Sequence, residues 1–405
     1  MNVTTRGIFG TAPAIGPATP GSYGEAPGGF RLPAATSVGA VTLQVADLER
    51  SLEFYCTALG LAELGRDGGV AVLGTGARPL VELRERRGAR PAGRGRLGLF
   101  HFAILLPDRP ALGRFVHHLA DLGVHAGAGD HLVSEAFYLT DPDGLGIEVY
   151  ADRPRESWRR NGRELMMATD PVDVPEVVAA GGGVAWTGMP EGTTMGHVHL
   201  HVGDLERASR FYSEALGLDR TVWSYPGALF LAAGGYHHHL GTNVWAGSSA
   251  RTPAADQAQL LEWTLELPDA GSIRSAAASL AAAGFAAEID TAGGTVRSRD
   301  PWGTPLALVL SALRPSSFAW HGTCATGAHD LDSEPTDADR PASASLRRSS
   351  GADAGAALRA AARSGRGADP GSPVSAGGKS SRADPGPVVS RTSAFASDCS
   401  RLGLL

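Results

Sequence analysis

His131, Tyr138 and Glu148 are three residues of the types that move protons or bind metals, packed into the stretch 129–148. His131 precedes an apolar run that carries Tyr138, the turn Asp141-Pro142-Asp143-Gly144 follows, and Glu148 sits inside a second apolar run. A neutral imidazole accepts and returns protons near neutral pH. A carboxylate inside an apolar strand is costly unless a cation or a donor satisfies it. The turn folds Ala136–Leu139 back against Ile147–Tyr150 as a hairpin, and alternate residues of a strand share a face. The three side chains are therefore expected on one surface.

The elements that position them emerge from an internal repeat. Val41-Thr42-Leu43-Gln44-Val45-Ala46-Asp47-Leu48-Glu49-Arg50 recurs as Val198-His199-Leu200-His201-Val202-Gly203-Asp204-Leu205-Glu206-Arg207, and both copies run on without a gap to Ala-Leu-Gly-Leu. Each copy predicts a strand, an Asp N-cap and an amphipathic helix that buries Leu and the Phe-Tyr pair. A second pair matches Phe102–Asp108 with Trp263–Asp269, and later Asp141–Gly144 with Asp300–Gly303. The predicted fold is α+β: four βαβββ modules at 38–87, 97–152, 194–246 and 259–312, pairing into cupped mixed sheets. Modules of this size need a partner to bury a core. Sequence order suggests domains 38–152 and 194–313 with a connector over 153–193. Residues 1–37 are Gly/Pro/Ala-rich and 314–405 are a low-complexity Ala/Ser/Arg/Gly mixture, so both are expected to be disordered.

Composition narrows the function. The net charge of −6 gives no reason to expect nucleic acid as a partner. No apolar run approaches the length of a membrane span. Three scattered cysteines suggest neither a disulfide framework nor a thiolate metal site, which makes a reducing cytoplasm the expected location.

Comparing the modules position by position places Ala40, His101, His197 and Glu262 at the starts of the first strands. Glu82, Glu148, one of His237-His238-His239, and Ala307 fall in the last strands. If the second and third modules share a cup, His101, His197 and Glu148 meet there. Two imidazoles and one carboxylate leave open positions on Fe(II), the arrangement that oxygen activation needs. If the modules pair as one–two and three–four, the best sets are Glu82/His101/Glu148 and His197/His239/Glu262. Each residue alone also fits a bland role. His101 fits an ordinary core histidine, the triple histidine a surface strand, His199 and His201 pocket walls, and Asp141–Gly144 a plain turn.

The run Gly129-Asp130-His131 through Phe137-Tyr138, Asp141-Pro142, Gly144 and Glu148 resembles the signature of type I extradiol ring-cleavage dioxygenases. The four-module plan resembles the vicinal oxygen chelate superfamily, which groups glyoxalases, bleomycin-resistance proteins and these dioxygenases. Residues 38–312 are similar to bacillus-type catechol 2,3-dioxygenases at Phe100–Asp108, Asp130–Pro154, Gly196–Val202 and Gly235–His239. The resemblance implies Fe(II), or Mn(II) on the same ligands, held by His101, Glu148 and His197. It implies His131 as acid/base, Tyr138 as a hydrogen-bond donor to the bound diol, and His239 as a further pocket histidine. Its substrates would be a small aromatic diol and O2, and its product of the 2-hydroxymuconic semialdehyde type; apart from the resemblance, a homo-oligomer is expected. The chain departs from the common plan in module order. There the metal lies in the last two modules, and here Ala307 stands where the fourth would supply a carboxylate. Two rivals share the scaffold: a glyoxalase-like lyase, isomerase or thiol transferase with a second carboxylate, and a metal-free ligand-binding resistance protein.

Overall fold

A computed structural model describes residues 15–290 and 294–311. The chain opens with β1 (Ile15–Pro17). The first module is β2 (Ser37–Val45), α1 (Leu48–Thr57), β3 (Ala62–Asp67), β4 (Val70–Thr75) and β5 (Arg78–Glu85). The second is β6 (Gly98–Leu105), α2 (Arg109–Asp121), β7 (Gly127–Asp130), β8 (Ser134–Thr140) and β9 (Gly146–Asp152). A linking segment holds β10 (Arg159–Asn161), β11 (Glu164–Leu165) and α3 (Val174–Ala180). The third module is β12 (Thr194–His201), α4 (Leu205–Ser209), a π-helical turn over Arg210–Ala215, β13 (Asp219–Val222), β14 (Ala228–Ala232) and β15 (Leu240–Asn243). The fourth is β16 (Gln259–Leu267), α5 (Ala270–Ala282), β17 (Glu288–Ile289), β18 (Thr295–Arg299) and β19 (Pro305–Leu310). The α+β repeat of four modules is therefore present.

Each module's first helix starts at an aspartate, as the repeat predicts. Asp47, Asp108, Asp204 and Asp269 accept the backbone N–H groups of Arg50, Ala111, Arg207 and Ser272, satisfying donors that a helix start leaves open.

Two eight-stranded sheets result, in the orders β13-β14-β15-β12-β6-β9-β8-β7 and β17-β18-β19-β16-β2-β5-β4-β3. The join in the first is the antiparallel β12–β6 pair, and in the second the antiparallel β16–β2 pair. Modules two and three therefore share one sheet, and modules one and four share the other. The contiguous division into 38–152 and 194–313 does not coincide with the sheets. It survives in a different set of bonds: the Tyr55 hydroxyl donates to Asp141 at 3.1 Å, and the equivalent Tyr212 hydroxyl to Asp300 at 3.0 Å. The helix of one module is thus tied to the Asp-Pro turn of the next in sequence, while hydrogen-bonded strands cross between the halves.

Strand alternation sorts the faces. Phe102, Ile104, Ile147, Val149, Val198 and Leu200 join the main core together with Val41, Leu43, Trp263 and Leu265 of the other sheet. The opposite face of the first sheet carries His101, Tyr138, Glu148, Tyr150 and His197, all absent from that core. The β12–β6 ladder slips between Met195 and His197, at Gly196. A Cβ there would lie 1.9 Å from the Tyr150 hydroxyl oxygen, so only glycine lets the two strands close over Tyr150. Gly196→Ala is expected to lower stability by more than about 2 kcal/mol through this overpacking, read as a shift in the urea midpoint.

The expected leader is not disordered over 15–37. β1 pairs with β10, Leu32 is buried and donates its N–H to the Gly217 carbonyl, and the Tyr23 hydroxyl donates to the Gly235 carbonyl at 2.6 Å. Arg31 forms a two-pronged bond to Asp219. This strap is held by single anchors rather than by a periodic face, and its backbone groups find partners on the linking segment and on the third module. The rest of the expected leader, and the expected tail from 314, lie outside the described residues. Among the described residues no helix is long and apolar enough to cross a membrane.

Candidate metal centre

His101 sits on β6, His197 on β12 and Glu148 on β9, three neighbouring strands at the middle of the first sheet. Their ligand atoms all lie within 4.8 Å of one another, and all three residues are buried. His101 Nε2 is 3.0 Å and His197 Nε2 3.3 Å from the same oxygen, Oε2 of Glu148. Ligands about 2.1 Å from a shared ion at right angles stand about 3.0 Å apart, so these separations suit a cation bound on one face.

The donor set itself argues for an ion. His101 Nε2 approaches Glu148 without the alignment of a hydrogen bond and is otherwise unpartnered, and so is His197 Nδ1. Buried polar atoms without partners are rare and costly. Burial, followed by the opposing pull of Glu148, takes the His197 pKa down to about 4, so its ring is a neutral lone-pair donor near pH 7. Neutral imidazoles and an ionised carboxylate are the states a metal requires. The alternative sets are not assembled. Glu82 pairs with Arg84 and Glu262 with Arg297 on the second sheet, where Arg84, Glu262 and Arg297 line a cavity of about 170 Å³.

His131 and Tyr138 reach the same face. Tyr138 lies directly opposite Glu148 in the β8–β9 ladder, and its ring is 5.6 Å from that of His101. The Tyr138 hydroxyl and His131 Nε2 are 2.5 Å apart, while His131 Nδ1 is 2.7 Å from the Ala168 carbonyl oxygen. A carbonyl only accepts, so Nδ1 carries the proton and Nε2 accepts from the phenol. A tight turn aims His131. Leu132 has φ +69°, the left-handed region that a branched residue rarely adopts. Asp130 accepts the Leu132 N–H and is clamped by Arg153 at 2.6 Å. The roles of Asp130 and Arg153 were not legible in the sequence beyond their place in the resemblance.

The triple histidine differs from expectation. β15 begins at Leu240, so 237–239 lie in the bend before it and do not alternate as a strand would. His239 is not beside the ligands. Its Nδ1 accepts the Ala233 N–H and its ring packs on Tyr236, with centroids 5.0 Å apart. His238 takes the place instead, its ring 4.0 Å from that of His197 and 4.9 Å from Phe230. His199, left unassigned from sequence, is buried against His101 with its Nε2 unpartnered.

Comparison with known proteins places the chain in a family. The family profile of the Glyoxalase/Bleomycin resistance protein/Dioxygenase superfamily matches residues 37–149 and 194–308. A protein of Bacillus subtilis (strain 168) named catechol-2,3-dioxygenase is 42% identical over 271 residues, covering 66% of this chain and 94% of its own. Among solved structures, one described as a candidate dioxygenase from Bacillus subtilis covers 69% of this chain and 86% of its own, at 14% identity and a TM-score of 0.48. Glyoxalase I from Zea mays covers 68% and 92%, at 18% identity and a TM-score of 0.41. The chain belongs to the Glyoxalase/Bleomycin resistance protein/Dioxygenase superfamily.

Proposed function

We propose that this protein is a metal-dependent extradiol dioxygenase that opens the ring of catechol or a substituted catechol with O2. The observation that carries the reading is the His101/His197/Glu148 set with the His131–Tyr138 pair and His238 beside it. The 42% identity to a protein named catechol-2,3-dioxygenase supports the same reaction class. A single carboxylate among the three ligands disfavours the lyase or isomerase reading, which expects two.

Fe(II), with Mn(II) as a fit to the same ligands, would be held by His101, His197 and Glu148, and would supply open positions for diol and O2 with an electron path between them. The remaining work falls to side chains. In the free protein the Tyr138 hydroxyl donates to His131 Nε2, and once substrate is bound it would turn that proton to one diol oxygen at the face beside Glu148. His131 keeps its Nδ1 proton on the Ala168 carbonyl, so Nε2, once the Tyr138 hydroxyl has turned to the diol, would be the atom that exchanges protons with the reacting oxygens. Free Cys56 suits a reducing compartment such as the cytoplasm, where ferrous iron persists.

The test is anaerobic purification, reconstitution with Fe(II) and addition of catechol in air. Oxygen uptake with a yellow product is expected; an iron-loaded protein that consumes no O2 with any catechol would refute the proposal. His131→Ala is expected to retain its iron and to lose about 10²- to 10⁴-fold in kcat, the usual worth of one acid–base group. Metal analysis beside steady-state rates separates the two effects.

A further inference from the structure

A chain of hydrogen bonds behind His238 has no part in the reading above. His238 Nδ1 lies 2.7 Å from His237 Nδ1, and His237 Nε2 lies 2.9 Å from Oδ1 of Asp152. The same Oδ1 accepts from the Tyr236 hydroxyl at 3.3 Å, and the Tyr236 oxygen is 2.7 Å from that of Tyr150. His237 is fully buried between the rings of Trp158, Tyr236 and Tyr150, with His197 and His238 on its other sides. Arg155 covers Trp158 and Tyr236 from outside.

We propose that Asp152 and His237 are positioning residues that lock the neutral tautomer of His238, leaving its Nε2 as a bare proton acceptor beside the metal ligands. The inference rests on the ring-cleavage reading for the purpose of that acceptor.

The argument is one of donors and acceptors. A carboxylate accepts only, so the Asp152 contact places a proton on His237 Nε2. Neutral His237 then has a bare Nδ1, which can only accept. The Nδ1–Nδ1 contact holds a single proton, and it must belong to His238. A neutral imidazole protonated at Nδ1 is bare at Nε2. The ring sits on His197, which places it beside the metal-binding residues. One hydroxyl proton of the diol would pass to His238 Nε2, giving a phenolate and an imidazolium. That cation still donates through Nδ1 to His237, with the Asp152 charge one ring away. A His oriented and electrostatically supported by a buried Asp follows the same logic as the catalytic triads.

The experiment is a two-bond proton–nitrogen correlation spectrum of the full chain, free of metal and labelled at its histidines, near neutral pH. His238→Gln and His237→Phe assign the rings. The expected pattern is His238 protonated at Nδ1 only and His237 at Nε2 only. In Asp152→Ala, His238 should shift toward protonation at Nε2, and Asp152→Glu should restore the native pattern. In the iron-loaded enzyme, His237→Phe should lower kcat about 10²-fold, with KM within about threefold and iron content unchanged. A native His238 protonated at Nε2, or a doubly protonated His237, overturns the proposal. Native spectra as expected in a protein that cleaves no catechol would uphold the tautomer lock and refute the ring-cleavage reading instead.

Discussion

His197→Ala is expected to abolish stoichiometric metal binding and, with it, turnover. The ligand lies on β12, whereas His101 and Glu148 lie on β6 and β9, so one substitution in the third module empties a site completed by the second. Metal sites of four ligands bind with about 10–16 kcal/mol, so one ligand is worth about 3 kcal/mol, or at least roughly 100-fold in affinity. The fold should survive, because Val198 and Leu200 carry the core contacts of β12 while His197 faces the other way. Glu82→Ala is the matched control. Glu82 is paired with Arg84 on the other sheet, so its loss should leave metal content unchanged. Metal analysis of both variants after Fe(II) reconstitution decides the matter. Full iron in His197→Ala would place the site elsewhere.

The metal-free protein is expected to unfold on mild acidification. His197 has its pKa lowered to about 4 and His239 to about 3, chiefly by burial, and His199 and His238 are lowered well below the ordinary value for the same reason. Between the unfolded value near 6.5 and these folded values the unfolded chain binds more protons, so stability falls as pH falls. Asp141 works in the opposite direction. Burial raises its pKa to about 6, so the folded state takes up that proton first. His201 is lowered as well and Asp300 is raised, both chiefly by burial, so five histidines against two acids leave about three protons, or about 4 kcal/mol per pH unit. A domain of ordinary stability, about 5–15 kcal/mol, would not survive far below pH 5. Urea titrations at stepped pH would show the midpoint falling steeply between pH 6.5 and 4.5. A flat profile would mean that the imidazoles are already charged in the folded protein.

What could be read from the sequence follows from what leaves a local trace. His101, Glu148 and His197 were legible because each interrupts an apolar strand at an equivalent place in a repeat, and strand alternation then puts them on one face. The hairpin that sets Tyr138 opposite Glu148 was legible from its Asp-Pro-Asp-Gly turn. Which modules share a sheet was not, since all four first strands have the same pattern and register forms only in three dimensions. The long segment 153–193 was the only hint that the second and third could meet. His239 was expected in the pocket from the resemblance, but Gly234 and Gly235 lie in a turn just upstream, 237–239 are not a regular strand, and His238 is the one that packs on His197. The strap over 15–37 was missed for a different reason. Its anchors, Tyr23 and Leu32, are isolated apolar residues in a Gly/Pro-rich segment and make no periodic pattern.

The most direct test of ring cleavage at this centre is the reaction of the iron-loaded protein with catechol under isotopically labelled O2. The expected result is one O2 consumed per catechol, a yellow semialdehyde carrying both labelled atoms, and no such product from His197→Ala. A protein that binds one iron per chain through His101, His197 and Glu148 yet leaves catechol and O2 untouched would contradict it.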